Sequence, residues 1–416
     1  MDRPAPERLG VPQARGIGEW GGFESIVRVP GYVMARQIDR LGIVIAALLA
    51  VAATATPLAV FRANRIVAGQ VRSIFESLPL AAALGLSAAL LVAALVAMWG
   101  RSDRLRLAVA VMALLVLIIA IGVAAGHLAP PGNRWVRVSP GAGFWIAVFA
   151  LGIFFADSSV RLALGPLARL AAVALSAAVI AALLLSGLWD HLSILMEYAS
   201  RADVFWREAG AHIMLALGSL VLAVLVGLPL GILAKRVPGL RGPVLNMLNM
   251  VQTIPSIALF GILIAPLGWI AAHVPGAAAI GIRGIGVAPA FVALFLYSLL
   301  PMVANTVVGL SHVPREAVDA ARGMGMTGRQ RLLRVELPLA LPVILAGVRI
   351  VLVQNIGLAT IAALIGGGGF GVFVFQGVGQ TASDLILLGA VPTVALAFAS
   401  AVVLDAVTEL SSRVRT

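Results

Sequence analysis

The chain is 416 residues long, 61% hydrophobic and only 12% charged, with a mean hydropathy of +1.04; soluble domains carry about a quarter charged residues, so water cannot be the solvent for most of this surface. Its net charge of +12 is almost entirely arginine, which on a soluble protein would point to nucleic acid but between long apolar runs follows the Lys/Arg bias of cytoplasmic loops. The absence of cysteine excludes disulfides, thiol catalysis and thiolate metal sites, and His127, His191, His212, His273 and His312 have no ligand-like spacing and read as interfacial.

Residues 1–40 are polar, with Arg3, Arg8, Arg15, Arg28, Arg36 and Arg40 among scattered Gly and Pro. They predict a cytoplasmic tail. The apolar run from Leu41, followed by Ala53-Thr54-Ala55, imitates a signal-peptide core. A basic leader of this length and a run of ~20 apolar residues fit an uncleaved anchor better.

Apolar runs predict spans at 41–61, 79–99, 107–126, 141–156, 167–189, 212–234, 244–270, 287–311, 340–363 and 384–408. A crossing needs ~20 helical residues, and the short alternating segments of a membrane barrel are missing. The fold class is therefore an all-α polytopic membrane protein of about ten transmembrane helices. With the N-terminus inside, 21 of the 30 Lys and Arg fall on the inner side and 8 on the outer side (Arg62, Arg65, Arg72, Arg134, Arg137, Arg201, Arg207 and Arg283), leaving Arg349 within a span. That asymmetry places both termini in the cytoplasm.

Residues 190–211 are the longest polar break after the tail and predict an external amphipathic linker, with Tyr198 and Trp206 suited to an interface. It divides an N-terminal membrane module of about five helices, 41–189, from a C-terminal domain, 212–416. The halves show no obvious repeat, so an inverted-repeat secondary transporter gains no support.

A charged island, 313–338, interrupts the C-terminal apolar runs as VPREAVDAARGMGMTGRQRLLRVELP. Pro314 suits a first helical turn, and Glu316 and Asp319 follow where a helix N-terminus favours anions. Ala317, Ala321 and Met324 form a narrow apolar stripe, and Ala320 with Ala321 keeps that side slim. Gly323 and Gly325 are expected to break this helix. Thr327 with Gln330 is a capping-box pattern that starts a second helix carrying Arg329, Arg331 and Arg334, with Pro338 expected to stop it. Chemistry alone fits this elbow equally to a docking surface and to an amphipathic loop on anionic lipid.

The order of residues decides between them. Asp319-Ala320-Ala321, three residues, Gly325, and Pro338 thirteen further on resemble the EAA loop of binding-protein-dependent ABC importer permeases, with Asp319 where the family usually has glutamate. The resemblance covers about 210–410. It implies a MetI-like permease core formed by the C-terminal five helices, with Asp319, Ala320, Ala321, Arg322, Gly323, Gly325 and Pro338 in the loop that couples to a cytoplasmic ATPase. Gln252 to Ile264, Ala293 to Leu310, and the stretches VELPLALPVILAGVRI and ATIAALIGGGGFG look like the osmoprotectant branch, which carries glycine betaine, choline and related quaternary amines. The long N-terminal module is similar to the larger, YehY-like members. The resemblance also implies an extracytoplasmic substrate-binding protein and a second permease subunit, a further copy or a shorter relative, in a bacterial inner membrane.

No catalytic arrangement, metal site or cofactor is expected. Gly366 to Gly369 lack the Lys and Ser/Thr of a phosphate loop and predict a tight re-entrant turn, so ATP would be used by the partner. Arg349, ~13 Å into its span, is expected to reach Asp405 or Glu336. Gln252, Thr253, Asn305, Gln354, Asn355 and Thr360 are candidates for a translocation path or, equally, interhelical hydrogen-bond partners. Pro255, Pro266 and Pro301 are expected to kink their helices. The alternatives are an amino-acid importer permease of the methionine type and an ion-coupled secondary transporter. The latter needs buried carboxylates, and Asp384 and Asp405 lie only near span ends.

Overall fold

The structure is a computed structural model that describes residues 39–64, 67–130, 133 and 135–413; residues 1–38 of the proposed tail lie outside them, and its last two residues cap and begin the first helix. The chain divides into Met1–Gln37 and Ile38–Thr416, and the second unit is described below.

α1 (Arg40–Thr54) is capped by Asp39, whose carboxylate accepts from the Leu41 and Gly42 amides. The predicted span to residue 61 ends early, at Thr54. Pro57 disfavours helix at the residue before it, and the chain leaves as an antiparallel hairpin, β1 (Ala59–Arg62) and β2 (Gln70–Arg72). The one-turn α2 (Ile74–Ser77) follows. There the Ser73 backbone N–H donates to Glu76, holding this carboxyl below its ordinary range.

α3 (Leu80–Trp99) and α4 (Asp103–Leu128) are followed by β3 (Arg137–Pro140), which pairs with β1 to complete a sheet of order β2-β1-β3. This sheet is an addition to the all-helical expectation. Its strands are three or four residues long, too short to show alternation. α5 (Ala142–Arg161) then packs with α1, α3 and α4 around Ile45, Leu49, Leu86, Leu117, Leu151 and Phe154. At one end of this bundle the fully buried Arg106 guanidinium meets Asp39 at 3.2 Å and Asp157 at 2.8 Å, and Arg161 joins both carboxylates.

α6 (Pro166–Leu185) behaves differently. None of its residues belongs to that core, and its apolar window is unburied by the chain. Its main neighbour is the last helix, far along the sequence.

The 190–211 stretch becomes α7 (Ser193–Ser200) and the first turns of α8 (Ala202–Arg236), so the sixth span starts ten residues before its predicted 212. Trp206 donates to Tyr198 at 3.1 Å, and Phe205 stacks on Phe373 and lies tilted against Phe370. Along α8, Ala216, Ser219, Ala223, Gly227, Gly231 and Ala234 are buried. A Cβ at Gly231 would sit 2.6 Å from Thr306 Cβ. Small residues of this kind let helix backbones approach where lipid removes the hydrophobic drive.

The predicted span 244–270 is broken. α9 (Arg241–Thr253) ends and α10 (Ser256–His273) begins around Pro255, while Pro266 stays inside its helix. α11 (Val287–Ser311) leads to α12 (Arg315–Gly323), α13 (Gly328–Arg331), a π-turn at Leu332–Glu336, and α14 (Leu337–Ala359). A 3-10 turn, Ile361–Ile365, precedes α15 (Gly371–Gly379) and α16 (Ser383–Arg413). Among the described residues nine helices are long and apolar enough to cross a membrane, and α1 is a shorter apolar one. The fold is that of an all-α polytopic membrane protein.

Candidate functional site

The elbow forms as a helix, a sharp turn and a second helix. Pro314 occupies the N-cap of α12 and Glu316 its first turn. Ala321 is 1% exposed and turns inward, whereas Asp319, Ala320 and Arg322 are exposed and Met324 is 69% exposed. The stripe read from sequence therefore splits, with Ala321 anchoring the helix and Met324 presented outward. Arg322 reaches Asp319 at 3.2 Å, an exposed pair that contributes little.

The turn is a Schellman closure. Met326 N–H donates to the Ala321 carbonyl, Gly325 N–H to Arg322, and Gly325 takes φ +76, the left-handed conformation that glycine adopts freely. Gly323 is the last helical residue and needs no such conformation. Thr327 and Gln330 form the expected capping box.

Pro338 does not stop the second helix. Its ring cannot accept the preceding turn's i−4 geometry, and the π-turn at Leu332–Glu336 loosens that turn so the chain runs on into α14. Glu336 ties the elbow down, pairing with Arg331 at 2.7 Å and with Arg236, the last residue of α8, at 3.5 Å. Arg236 also donates to the Gly328 carbonyl at 3.3 Å. Val313, Leu332 and Leu337 pack on Leu310, Ala340 and Ile344. Arg236 was not singled out in the sequence, where it is one more basic residue at a helix end.

The polar candidates of the spans hold different partners. The Gln252 amide donates to the Tyr297 carbonyl at 2.7 Å, and the Tyr297 hydroxyl bonds the Ile254 carbonyl where α9 breaks. Thr253 is exposed and bonds Met250 of its own helix. Asn305 donates to the Pro301 carbonyl at 2.8 Å, next to a kink-prone position. Gln354 and Thr360 are half-buried. Asn355 is fully buried, and its amide bonds the hydroxyls of Ser219 on α8 and Ser298 on α11, each at 2.9 Å. It joins three helices. Arg349 pairs with Asp405, not Glu336, at 2.5 Å, and Asp405 also binds Arg169 of α6.

Gly366 to Gly369 form a tight turn in which Gly366, Gly368 and Gly369 all have positive φ. The Gly369 N–H donates to buried Glu208 at 2.8 Å, and the Phe370 N–H reaches His212 Nδ1 at 3.4 Å. His212 is therefore not interfacial: it is fully buried against Phe370.

A family model described as "Binding-protein-dependent transport system inner membrane component" matches residues 223–415, which include the elbow. Another, "ABC transporter permease YehY, N-terminal domain", matches 39–195. The osmoprotectant import permease OsmW of Salmonella typhimurium is 45% identical over 43% of this chain and 78% of its own length. The glycine betaine/carnitine/choline permease OpuCB of Bacillus subtilis is 39% identical over 50% of this chain and 86% of its own, and the choline permease OpuBB of the same organism is 38% identical over 49% and 84%. With the elbow and helix order described above, these matches make the chain a member of the binding-protein-dependent ABC transporter permease family.

Proposed function

We propose that this chain is the membrane subunit of an importer for osmoprotectant quaternary amines of the glycine betaine and choline class. The names of the relatives support the solute class. The observation that carries the mechanism is the elbow, with its exposed Asp319 and Arg322, slim Ala320–Ala321 face and Gly325 turn, pinned to two helices through Glu336. A cytoplasmic ATPase grips α12. Closure of two such ATPases moves the elbow, and the Arg236–Glu336–Arg331 group passes that movement to α8 as well as α14. A second permease subunit completes the pathway, and an external binding protein delivers the solute.

The chain holds no phosphate-loop sequence, so the energy comes from its partner. The Lys/Arg asymmetry supports both termini and the elbow lying in the cytoplasm of a bacterial inner membrane. Gly366–Gly369 and the 190–211 stretch then face outward. The division into an N-terminal module, 41–189, and a permease domain, 212–416, belongs to the same reading, as does the use of Gln252, Asn305 and Gln354 along the path.

The test is uptake of glycine betaine into vesicles holding the complete complex. ATP-dependent uptake that vanishes without the ATPase is expected. Uptake persisting without it, or an elbow labelled only from outside the cell, ends this reading.

A further inference from the structure

At the end of the helices opposite the elbow, a cavity of about 160 Å³ lies between the N-terminal sheet and the start of α16, lined by Arg62, Arg137, Gln380, Thr381, Ala382 and Asp384. A cavity of ~150 Å³ holds a benzene-sized molecule, so a small solute fits and a peptide does not.

Its charges are arranged unusually. Arg62 and Arg137 are direct partners across the β1–β3 pair, where like charges repel. Arg137 has one nitrogen, Nη2, 3.7 Å from Glu197. Its Nε and Nη1 are shielded from solvent and have no acceptor among the described residues. Such N–H groups lose water without replacement, which costs stability. Across the cavity Asp384 is only 4% exposed and forms no ion pair with either arginine among the described residues. Thr381 beside it is held at φ +51, a left-handed conformation costly for a residue with a branched Cβ and of a kind found at ligand clamps.

Two arginines and a sequestered carboxylate share one small space without satisfying one another. A simple anion would suit the arginines and meet Asp384; a simple cation would suit Asp384 and meet two guanidinium groups. We propose that this cavity binds a small zwitterion, its carboxylate on Arg62 and Arg137 and its cationic end at Asp384. The half-buried Arg62 fork matches a carboxylate in two hydrogen bonds, and Arg137 adds its charge beside it. Occupancy joins the N-terminal sheet to the first turn of α16, so the site is a link between the N-terminal module and the permease and is separate from any translocation path. It rests on the side chains lining the cavity and not on the transported solute assigned above.

The experiment uses the full chain in lipid nanodiscs, without ATPase or binding protein, and measures equilibrium binding of radiolabelled glycine betaine. Choline, which lacks the carboxylate, and acetate, which lacks the cation, serve as competitors. Saturable binding is expected, with each competitor at least about tenfold weaker than unlabelled glycine betaine. Arg62→Lys keeps the charge at the strand end but loses the fork, and it should weaken binding about tenfold, the size of one charge-assisted hydrogen bond. Asp384→Asn should do the same. Arg62→Ala, at the strand end, provides the same reading if either variant misfolds.

Absence of binding, equal binding by wild type and variants, or choline competing as well as glycine betaine overturns the proposal. ATP-driven uptake by the complete complex is followed in parallel. Uptake without binding by the permease alone removes this site and leaves the transport reading standing; binding without uptake does the reverse.

Discussion

Arg349 and Asp405 lie 2.5 Å apart and join α14 to α16, while the same Asp405 also holds Arg169 from α6. One carboxylate thus serves three helices. Arg349 and Asp405 are 39% and 42% exposed on the protein's own surface, and a coupling of about 1 kcal/mol is expected for such a half-exposed pair. In thermal melts of the purified chain, Arg169→Ala and Arg349→Ala should combine non-additively because they share an acceptor. Strict additivity would mean that Asp405 is not a common node.

The two glycines of the elbow should respond in opposite ways. Gly325→Ala forces a side chain into φ +76 and costs ~1 kcal/mol in the turn; Gly325→Asp adds a charge on the docking face. ATP-driven uptake should fall severalfold for the first and be lost for the second, with membrane insertion intact. Gly323→Ala lies in helical backbone with open space around its Cβ and should transport normally. Loss of uptake in Gly323→Ala, with Gly325→Ala unaffected, would contradict the turn geometry.

Arg236 is expected to carry motion rather than stability. Arg236→Ala removes both its Gly328 and Glu336 contacts, while Arg331 still holds Glu336 and the elbow stays folded. ATPase recruitment should be unchanged and the ATP hydrolysed per solute transported should rise severalfold. A stoichiometry equal to wild type would show that α14 alone transmits the stroke.

Asn355 tests whether buried polar groups here are path or scaffold. Its two serine partners also bond their own helix carbonyls, Ser219 to Leu215 and Ser298 to Leu294. Asn355→Leu therefore strands no hydroxyl completely and should cost about 1 kcal/mol, near the usual value between membrane helices. Detergent melts should fall with KM for the solute unchanged. A large KM change without a stability change would place Asn355 on the path.

Much of this was legible in the chain. Long apolar runs fix helices because a lipid-exposed backbone must satisfy itself, and Thr327 with Gln330 and the φ-permissive Gly325 carry local geometry in their own chemistry. Features that depend on distant partners were not legible. Nothing near Asn355 names Ser219 or Ser298, and nothing near His212 announces Phe370 packing on it. Pro338 looks like a stop only until the π-turn before it accommodates its ring. Pro255 ends a helix while Pro266 and Pro301 do not, and at that break the Tyr297 hydroxyl donates to the Ile254 carbonyl.

The isolation of α6 from its own bundle stitches the two halves of the chain together. Its main neighbour is α16, whereas Trp189 and Leu192 just beyond it return to the N-terminal core. A truncation at 190 strips the final helix of its buttress and of Arg169. One made at 164 leaves that brace in place but takes away the core against which Trp189 and Leu192 pack.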